Sequence, residues 1–243
     1  MLPCNLDLAV PNATPTDVSL SDVLAASYNF AEPAQPTKAN TALLLVDVQQ
    51  LATPEHLAAQ AVQAGLDQHA VNDALADYAQ RFYAAVANCE RLLAAARTAA
   101  VPCIHVKIEA LSGNARDTGP AHRRLGWCYP PGSPETAFLT QTAPQPGEVV
   151  ITKTVSGAFT ATNLDSVLRH MGIEWLVIAG FETDECIEAT GRAGLDLGYL
   201  ALFAEDACTA YEAASHQNFM RKYESWGLVR STDQLTIWMD ELI

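Results

Sequence analysis

Residues 41–47 of the chain form the stretch Thr41-Ala42-Leu43-Leu44-Leu45-Val46-Asp47, in which five consecutive apolar side chains are followed by a carboxylate. A short, uninterrupted apolar run is typical of a strand that is buried on both faces. Similar runs, each shorter than a helix would need, return at residues 102–108, 149–152, 174–179, 199–204 and 228–230. The sequence therefore predicts about six buried strands.

Helical segments separate most of these runs. The pattern predicts helices at residues 71–99, 162–171, 184–197, 212–226 and 232–242, the last with Thr232 or Asp233 as its N-cap. Strands that alternate with helices indicate a parallel sheet covered on both faces. We therefore predict an α/β protein with a single-domain, three-layer α/β/α Rossmann-like fold and a mainly parallel sheet. Its ligand site is expected beyond the carboxyl ends of the strands.

The composition of the chain changes near residue 40. Residues 1–40 carry five prolines and one short predicted helix at 19–28, and we interpret them as an N-terminal extension to a single domain at residues 41–243. Within the domain, residues 110–147 are polar and rich in Gly and Pro, which predicts a long loop. A loop of that length in a compact domain usually covers a site or carries function.

The net charge and the spacing of the cysteines restrict the kinds of molecule that the protein is expected to bind. The net charge of −14, from 28 acidic and 14 basic residues, argues against nucleic acid and anionic membrane surfaces. No apolar stretch approaches the roughly 20 residues that span a bilayer, and the first residues lack the pattern of a signal peptide. The six cysteines include no C-x-x-C pair. We expect a cytoplasmic protein that acts on a small molecule, with no nucleic-acid or membrane partner.

Three charged or reactive residues follow three predicted strands. Asp47 ends the first strand, Lys153 follows the strand at 149–152, and Cys186 lies in the first turn of the helix after the strand at 174–179. Free N–H groups and the helix dipole there favour a thiolate, which predicts a lowered pKa for Cys186. Each residue alone has an ordinary alternative: a capping carboxylate, a solvated lysine and a buried cysteine. Together they indicate a thiol nucleophile with two charged partners.

The segments around these residues resemble the isochorismatase-like cysteine hydrolases over roughly residues 40–240. The three motifs of that family are matched by Asp47-Val48-Gln49, by Ile151-Thr152-Lys153 with Ser156-Gly157-Ala158-Phe159, and by Gly180-Phe181-Glu182-Thr183-Asp184-Glu185-Cys186. The long loop resembles that of the ureidoacrylate amidohydrolase-type branch of the family. Biuret hydrolases and N-carbamoylsarcosine amidases are neighbouring branches. The similar segments are Glu109-Ala110-Leu111, Ala115-Arg116-Asp117, Arg124-Leu125-Gly126 and Pro131-Gly132-Ser133.

The resemblance implies a mechanism. Asp47 would be the general base, Lys153 would stabilise the thiolate and the developing charge, and Cys186 would attack a carbonyl carbon to form a thioester. The family also has a non-proline cis peptide before the nucleophile, which we place at the Glu182–Thr183 bond. The N–H groups of Glu182 or Thr183, together with that of Cys186, would then form the oxyanion hole. No cofactor and no metal is implied.

Five further residues are candidate substrate contacts. Gln49 points to the same side of an extended strand as the first carboxylate and could bond a ureido or amide group. Lys107 and Arg116 are candidate carboxylate binders, with a solvated loop charge as the alternative. Tyr129 and Phe159 are candidates for the pocket wall, with ordinary packing as the alternative.

Two other activities known among similar enzymes are excluded for this sequence. The metal-binding Asp/His cluster of nicotinamidases is missing after His105, and isochorismate-cleaving enzymes lack the cysteine that stands here at Cys186. We predict a cysteine-dependent amidohydrolase that cleaves a C–N bond of a small ureido, carbamoyl or amide substrate and releases ammonia or an amine. A homo-oligomer, dimer or tetramer, is expected. The alternatives are a non-catalytic binding or partner domain with the same fold and a hydrolase that acts on another small amide.

Overall fold

The computed structural model describes residues 18–27 and 34–243, so most of the segment predicted as an extension lies outside the described residues. The helices and strands, in chain order, are α1 (Leu20–Ser27), β1 (Thr41–Val46), α2 (Pro54–Gln63), α3 (Gln68–Ala99), β2 (Cys103–Ile108), α4 (Pro120–Arg124), β3 (Val149–Lys153), α5 (Leu164–His170), β4 (Trp175–Phe181), α6 (Glu188–Asp196), β5 (Leu200–Thr209), α7 (Ala213–Glu224), β6 (Val229–Arg230) and α8 (Thr232–Glu241).

The six strands form one sheet in the order β3-β2-β1-β4-β5-β6, and every pair of neighbours is parallel. Helices flank the sheet, which confirms the predicted α/β fold. Strand β1 lies inside the sheet between β2 and β4, and all six of its residues are buried. This position explains why its sequence is an unbroken apolar run, since neither face of an interior parallel strand meets water.

The long helix α3 packs across the sheet. It begins three residues before the predicted start because the Asp67 carboxylate caps it, accepting the N–H groups of His69 and Ala70 at 3.0 Å each. Its buried face includes Phe82, whose ring stacks on Phe181 of β4 with the centroids 4.5 Å apart. Although α3 has 32 residues, no helix in the described part of the chain is apolar enough over its length to cross a membrane.

Several predicted boundaries were wrong. Strand β4 continues to Phe181 and β5 to Thr209, because a register shift after Ile178 lets the ends of the two strands pair beyond the exposed Glu205 and Asp206. The helix predicted at 184–197 begins with a π-helical turn, Thr183–Ile187, before α6. The N-cap of α8 is Ser231 rather than Thr232 or Asp233, since its hydroxyl accepts the N–H of Gln234 and the Gln234 side chain accepts its N–H in return.

Gly180 lets β1 and β4 approach each other closely just before the strands end. Its φ is +122°, and a Cβ atom at this position would lie 2.0 Å from the carbonyl oxygen of Val46. Because that oxygen belongs to the backbone of a buried strand, it cannot move aside without disturbing the sheet. The residue at this point is therefore restricted to glycine by both its conformation and the space around it.

We predict that Gly180→Ala lowers the free energy of unfolding by about 3 kcal/mol, the upper part of the range for overpacked interiors. Urea unfolding measures the change. The matched control is Gly198→Ala, which also has a positive φ, of +95°, but no atom within 4 Å of an added Cβ. The control is expected to lose only the conformational term, roughly 1–2 kcal/mol. Equal losses in the two variants would contradict the steric argument.

Candidate active site

Asp47, Lys153 and Cys186 meet at the carboxyl edge of the sheet. Asp47 follows β1 with a φ of 56°, a left-handed conformation that aspartate tolerates better than most residues. Lys153 is the last residue of β3. Its Nζ lies 2.7 Å from Asp47 Oδ2 and donates to Cys186 Sγ at 3.2 Å and to the Val155 carbonyl at 3.2 Å. Since β2 separates β3 from β1, the long lysine side chain spans the width of a strand to make these contacts.

The three side chains are almost completely removed from water: Asp47 is 2% exposed, Lys153 1% and Cys186 4%. Burial raises the pKa of Asp47, and the Lys153 ammonium opposes that shift. Burial would lower the pKa of Lys153, but the charge of Asp47 and the hydrogen bonds to Asp47 and Cys186 outweigh it and raise the pKa. The lysine is therefore held in its charged form.

The predicted lowering of the Cys186 pKa was wrong for the resting protein. Burial raises the pKa of the thiol, and the Asp47 carboxylate beside it raises it further, while Lys153 opposes both. A helix N-terminus alone would have the predicted effect, but here the loss of solvent and a neighbouring anion outweigh it. The resting group is therefore a protonated thiol beside a carboxylate.

The turn that carries Cys186 is attached to the end of β4. The carbonyl oxygen of Glu182 accepts the N–H groups of Glu185 and Ile187, both at 3.1 Å. The bond from Ile187, which spans five residues, is the one typical of a π-helical turn. The non-proline cis peptide lies between Phe181 and Glu182, one bond before the predicted Glu182–Thr183 position. The prediction, which counted three to four residues back from Cys186, was therefore off by one bond.

Polar side chains from α3 and α7 hydrogen-bond to the first residues of this turn and to the nearby end of β5. Glu182 Oε1 lies 2.8 Å from the Tyr78 hydroxyl of α3, and Thr183 Oγ1 lies 2.9 Å from His216 Nδ1 of α7. Arg81 of α3 donates to Thr209 Oγ1 and to the carbonyl oxygens of the next two residues, at 2.6–2.9 Å. The two helices thereby hold the residues that lead into Cys186, and Arg81 also holds the end of β5.

Gln49 was predicted to contact substrate, but the structure gives its side chain other partners. The amide nitrogen donates to the carbonyl oxygens of Ile108 at 3.1 Å and Thr136 at 2.7 Å, and the amide oxygen accepts the Ile108 N–H at 2.8 Å. Both amide protons are therefore used by backbone. Gln49, which is fully buried, joins the ends of β1 and β2 to the long loop. The strand spacing used for the prediction does not apply here, because β1 ends at Val46 and Asp47 is in a left-handed conformation.

The other four residues predicted to contact substrate lie in different surroundings and do not form one group. Lys107 Nζ pairs with Glu109 Oε2 at 2.6 Å. Arg116 is exposed on the long loop. The half-buried Tyr129 places its hydroxyl 3.4 Å from His56 Nε2. The Phe159 ring stacks on Tyr199, which precedes β5 at the opposite end of the strands from Cys186, with the centroids 5.5 Å apart.

Two residues near the three-residue cluster were missed. His122 of α4 is buried with Nε2 3.2 Å from Ser156 Oγ; burial and the nearby Lys153 ammonium lower its pKa to about 4, so the ring is neutral. Tyr211 follows β5 and is 38% exposed, and its partial burial raises its pKa, with Glu182 and Cys186 nearby. Both residues stand in polar loop segments with no periodicity, so only the folded chain could show their position.

Backbone hydrogen bonds fasten the long loop to this edge of the sheet. The N–H of Gly119 donates to the carbonyl of Thr154 at 2.8 Å, directly after Lys153. The N–H of Leu139 donates to Val48 at 3.0 Å, directly after Asp47. The loop therefore packs over two of the three strand ends that form the site. Within residues 18–27 and 34–243, no group of three His, Cys, Asp or Glu side chains is placed to hold a metal ion.

Comparison with known proteins identifies the family. The sequence pattern of the isochorismatase domain matches residues 41–234, so the chain belongs to the isochorismatase family. This confirms the resemblance found in the motifs. The ureidoacrylate amidohydrolase RutB of Variovorax paradoxus is 34% identical over 138 residues, which cover 50% of this chain and 55% of that protein. The chain thus spans about half the length of this curated relative.

Solved structures show the same fold. A cysteine hydrolase from Pseudomonas syringae pv. phaseolicola superposes with a TM-score of 0.70 at 21% identity, covering 87% of this chain and 99% of that one. The N-carbamoylsarcosine amidase from Thermoplasma acidophilum gives a TM-score of 0.60 at 20% identity, covering 80% and 97%. At these identities the likeness concerns the fold.

The buried ion pair predicts a specific pattern of stability. Lys153→Met leaves the Asp47 carboxylate buried without its cation and should lower the free energy of unfolding by about 3–5 kcal/mol. The double variant Asp47→Asn/Lys153→Met should recover a large part of that loss, because no unpaired charge is left. Urea unfolding at neutral pH measures both.

Lys222→Met is the matched control for this series, since Lys222 pairs with Glu188 at 3.5 Å on the surface. Its loss should stay below about 1 kcal/mol. A double variant no more stable than Lys153→Met would show that the pairing of charges is not what stabilises this part of the protein.

Proposed function

We propose that this protein is a cysteine-dependent amidohydrolase that cleaves a C–N bond of a small ureido, carbamoyl or amide substrate. The observation that carries the proposal is that a buried ammonium group, Lys153 Nζ, contacts both the Asp47 carboxylate and the Cys186 sulfur. This arrangement joins a base, a nucleophile and a fixed positive charge at the edge of the sheet where ligands bind in α/β folds. The names of the relatives point to the same reaction class.

In the first step, Asp47 takes the thiol proton while Cys186 Sγ attacks the carbonyl carbon of the substrate. The proton moves from one member of the cluster to another, so the net charge of the buried cluster does not change and no charge is brought in from water. Lys153 stabilises the thiolate throughout. The tetrahedral intermediate then collapses to a thioester, and Asp47 returns the proton to the departing amine or ammonia.

In the second step, Asp47 is again a carboxylate and removes a proton from a water molecule, which attacks the thioester carbon. The carbonyl product leaves, and the sulfur recovers its proton. In both steps the oxyanion would be held by backbone N–H groups of the turn, those of Glu182 or Thr183 together with that of Cys186. The bonds that support this turn from α3 and α7 keep those groups in fixed directions.

The substrate class rests on the residues around the cluster. His122, neutral and buried, and Tyr211, a hydroxyl close to Cys186, offer hydrogen bonds of the kind that an uncharged ureido or amide group requires. Arg116 lies on the loop that is fastened beside Lys153, and we propose that it pairs with a substrate carboxylate where one is present.

Cys186→Ser should lower kcat by about three orders of magnitude or more in an ammonia-release assay over ureido acids, biuret, carbamoyl amino acids and simple amides. The control is Cys128→Ser, which changes an exposed cysteine of the long loop and should keep full activity. In parallel, alkylation of Cys186 by iodoacetamide at neutral pH should be suppressed in Asp47→Asn, because the resting sulfur is a thiol and needs Asp47 to take its proton as it attacks. If no amide in the panel turns over and the alkylation rate is the same with and without the Asp47 carboxylate, the protein is a binding domain instead.

Arg116→Ala should raise KM about tenfold for a ureido acid, the effect of losing one charge-assisted hydrogen bond, and leave kcat little changed. Biuret, which has no carboxylate, should show no increase. Arg124→Ala removes another exposed arginine of the same loop and should leave both substrates unaffected. An equal rise in KM for both substrates in Arg116→Ala would assign the residue to loop folding.

A further inference from the structure

The Glu182 side chain has an unusual position for a carboxyl group. It is 5% exposed and lies directly before the turn that carries Cys186. Its Oε1 is 2.8 Å from the Tyr78 hydroxyl, whereas its Oε2 is buried with no hydrogen-bond partner among the described residues. The mechanism above uses the backbone of this residue and leaves its side chain unexplained.

The Tyr78 hydroxyl shows which atom carries the proton. Its oxygen also lies 2.9 Å from the carbonyl oxygen of Ala52, which follows β1 and Asp47. A hydroxyl has a single proton to donate, and a carbonyl oxygen can only accept. If Glu182 were ionised, two acceptors would compete for that one proton. Both contacts are full hydrogen bonds only when Glu182 donates to Tyr78 and Tyr78 donates to Ala52.

The cost of burial supports the same protonation state. An ionised Glu182 would place a charge on a buried oxygen that has no partner, which is strongly unfavourable. The titratable groups that face it are Tyr78 and Arg81 of α3, Asp47 beyond β1, Asp184 of the turn, and Cys208 and Tyr211 at the end of β5. Burial raises the pKa of Glu182 to about 8, with the hydrogen bond to Tyr78 and the charge of Arg81 opposing the shift and Asp184 and Asp47 adding to it.

We propose that Glu182 is held as a neutral carboxylic acid that positions the Cys186 turn through Tyr78, and that its ionisation sets the alkaline limit of Cys186 reactivity. The second part rests on the proposed function, whereas the first does not. Ionisation would have two effects. It would draw the Tyr78 proton away from Ala52, which loosens the chain after β1, and it would add an anion beside Asp47, which opposes formation of the thiolate.

The protonation state is tested by infrared difference spectroscopy on the full chain. Subtracting the spectrum of Glu182→Gln from that of the unmodified protein at about pH 6.5 should leave the C=O stretching band of a protonated carboxylic acid. The band should disappear as the pH is raised through about 8. Glu185→Gln, an exposed glutamate of the same turn, should give no such band. Absence of the band in the Glu182 difference spectrum would overturn the proposal.

The consequence for the thiol is tested by the rate of Cys186 alkylation, followed by peptide mass spectrometry between about pH 6 and 10. Glutamine is always neutral and can still donate to Tyr78, so Glu182→Gln should react within about threefold of the unmodified protein at pH 7. Near pH 9.5 the unmodified protein should be about tenfold slower than the variant, as expected for a one-unit rise in the thiol pKa. Identical pH profiles would overturn the alkaline limit.

Two further variants distinguish a failure of the neutral-acid proposal from a failure of the proposed function. Tyr78→Phe removes the acceptor of the Glu182 proton, so the acid band should persist and shift to higher frequency, which serves if the glutamine variant does not fold. Cys186→Ser should retain the Glu182 band unchanged. A band without any amide turnover would refute the proposed function alone, and amide turnover without the band would refute the neutral acid alone.

Discussion

The ion pair between Lys153 and Asp47 is the interaction on which the arrangement of the site depends. Two opposite charges in an interior that excludes water are tolerated only if they stay together, because separating them leaves each one desolvated and unpaired. The pair joins the end of β1 to the end of β3 across β2. The two charges can meet only while these three strands keep their positions relative to one another. The sulfur of Cys186 completes the cluster by binding the same ammonium group.

This constraint explains how much of the site was predictable. In a parallel sheet the carboxyl ends of the strands share one edge, so residues that end different apolar runs converge there. Asp47, Lys153 and Cys186 could be located in that way, and the order of strands and helices followed from the same runs. Local periodicity and the alternation of elements were sufficient for the fold.

The details that depend on neighbours in space were not predictable. Gln49 was expected to contact a ligand, but its partners come from β2 and the long loop. The pKa of Cys186 depends on an anion 139 positions away in the chain. The cis bond was misplaced by one residue because its position was inferred from the resemblance alone. The other two errors arose where a long-range contact outweighed a local pattern.

The way the 110–147 loop is attached has a consequence for how the protein can change over time. Its contacts with the chain after Asp47 and after Lys153 include hydrogen bonds between backbone groups, which any side chain except proline at the donor can preserve. Mutations in the loop can therefore alter the surface presented to a ligand while its docking is kept. Mutations at Gly180 or in the buried cluster have no such freedom. New ligand preferences are thus most accessible to evolution, and to library-based engineering, through the loop.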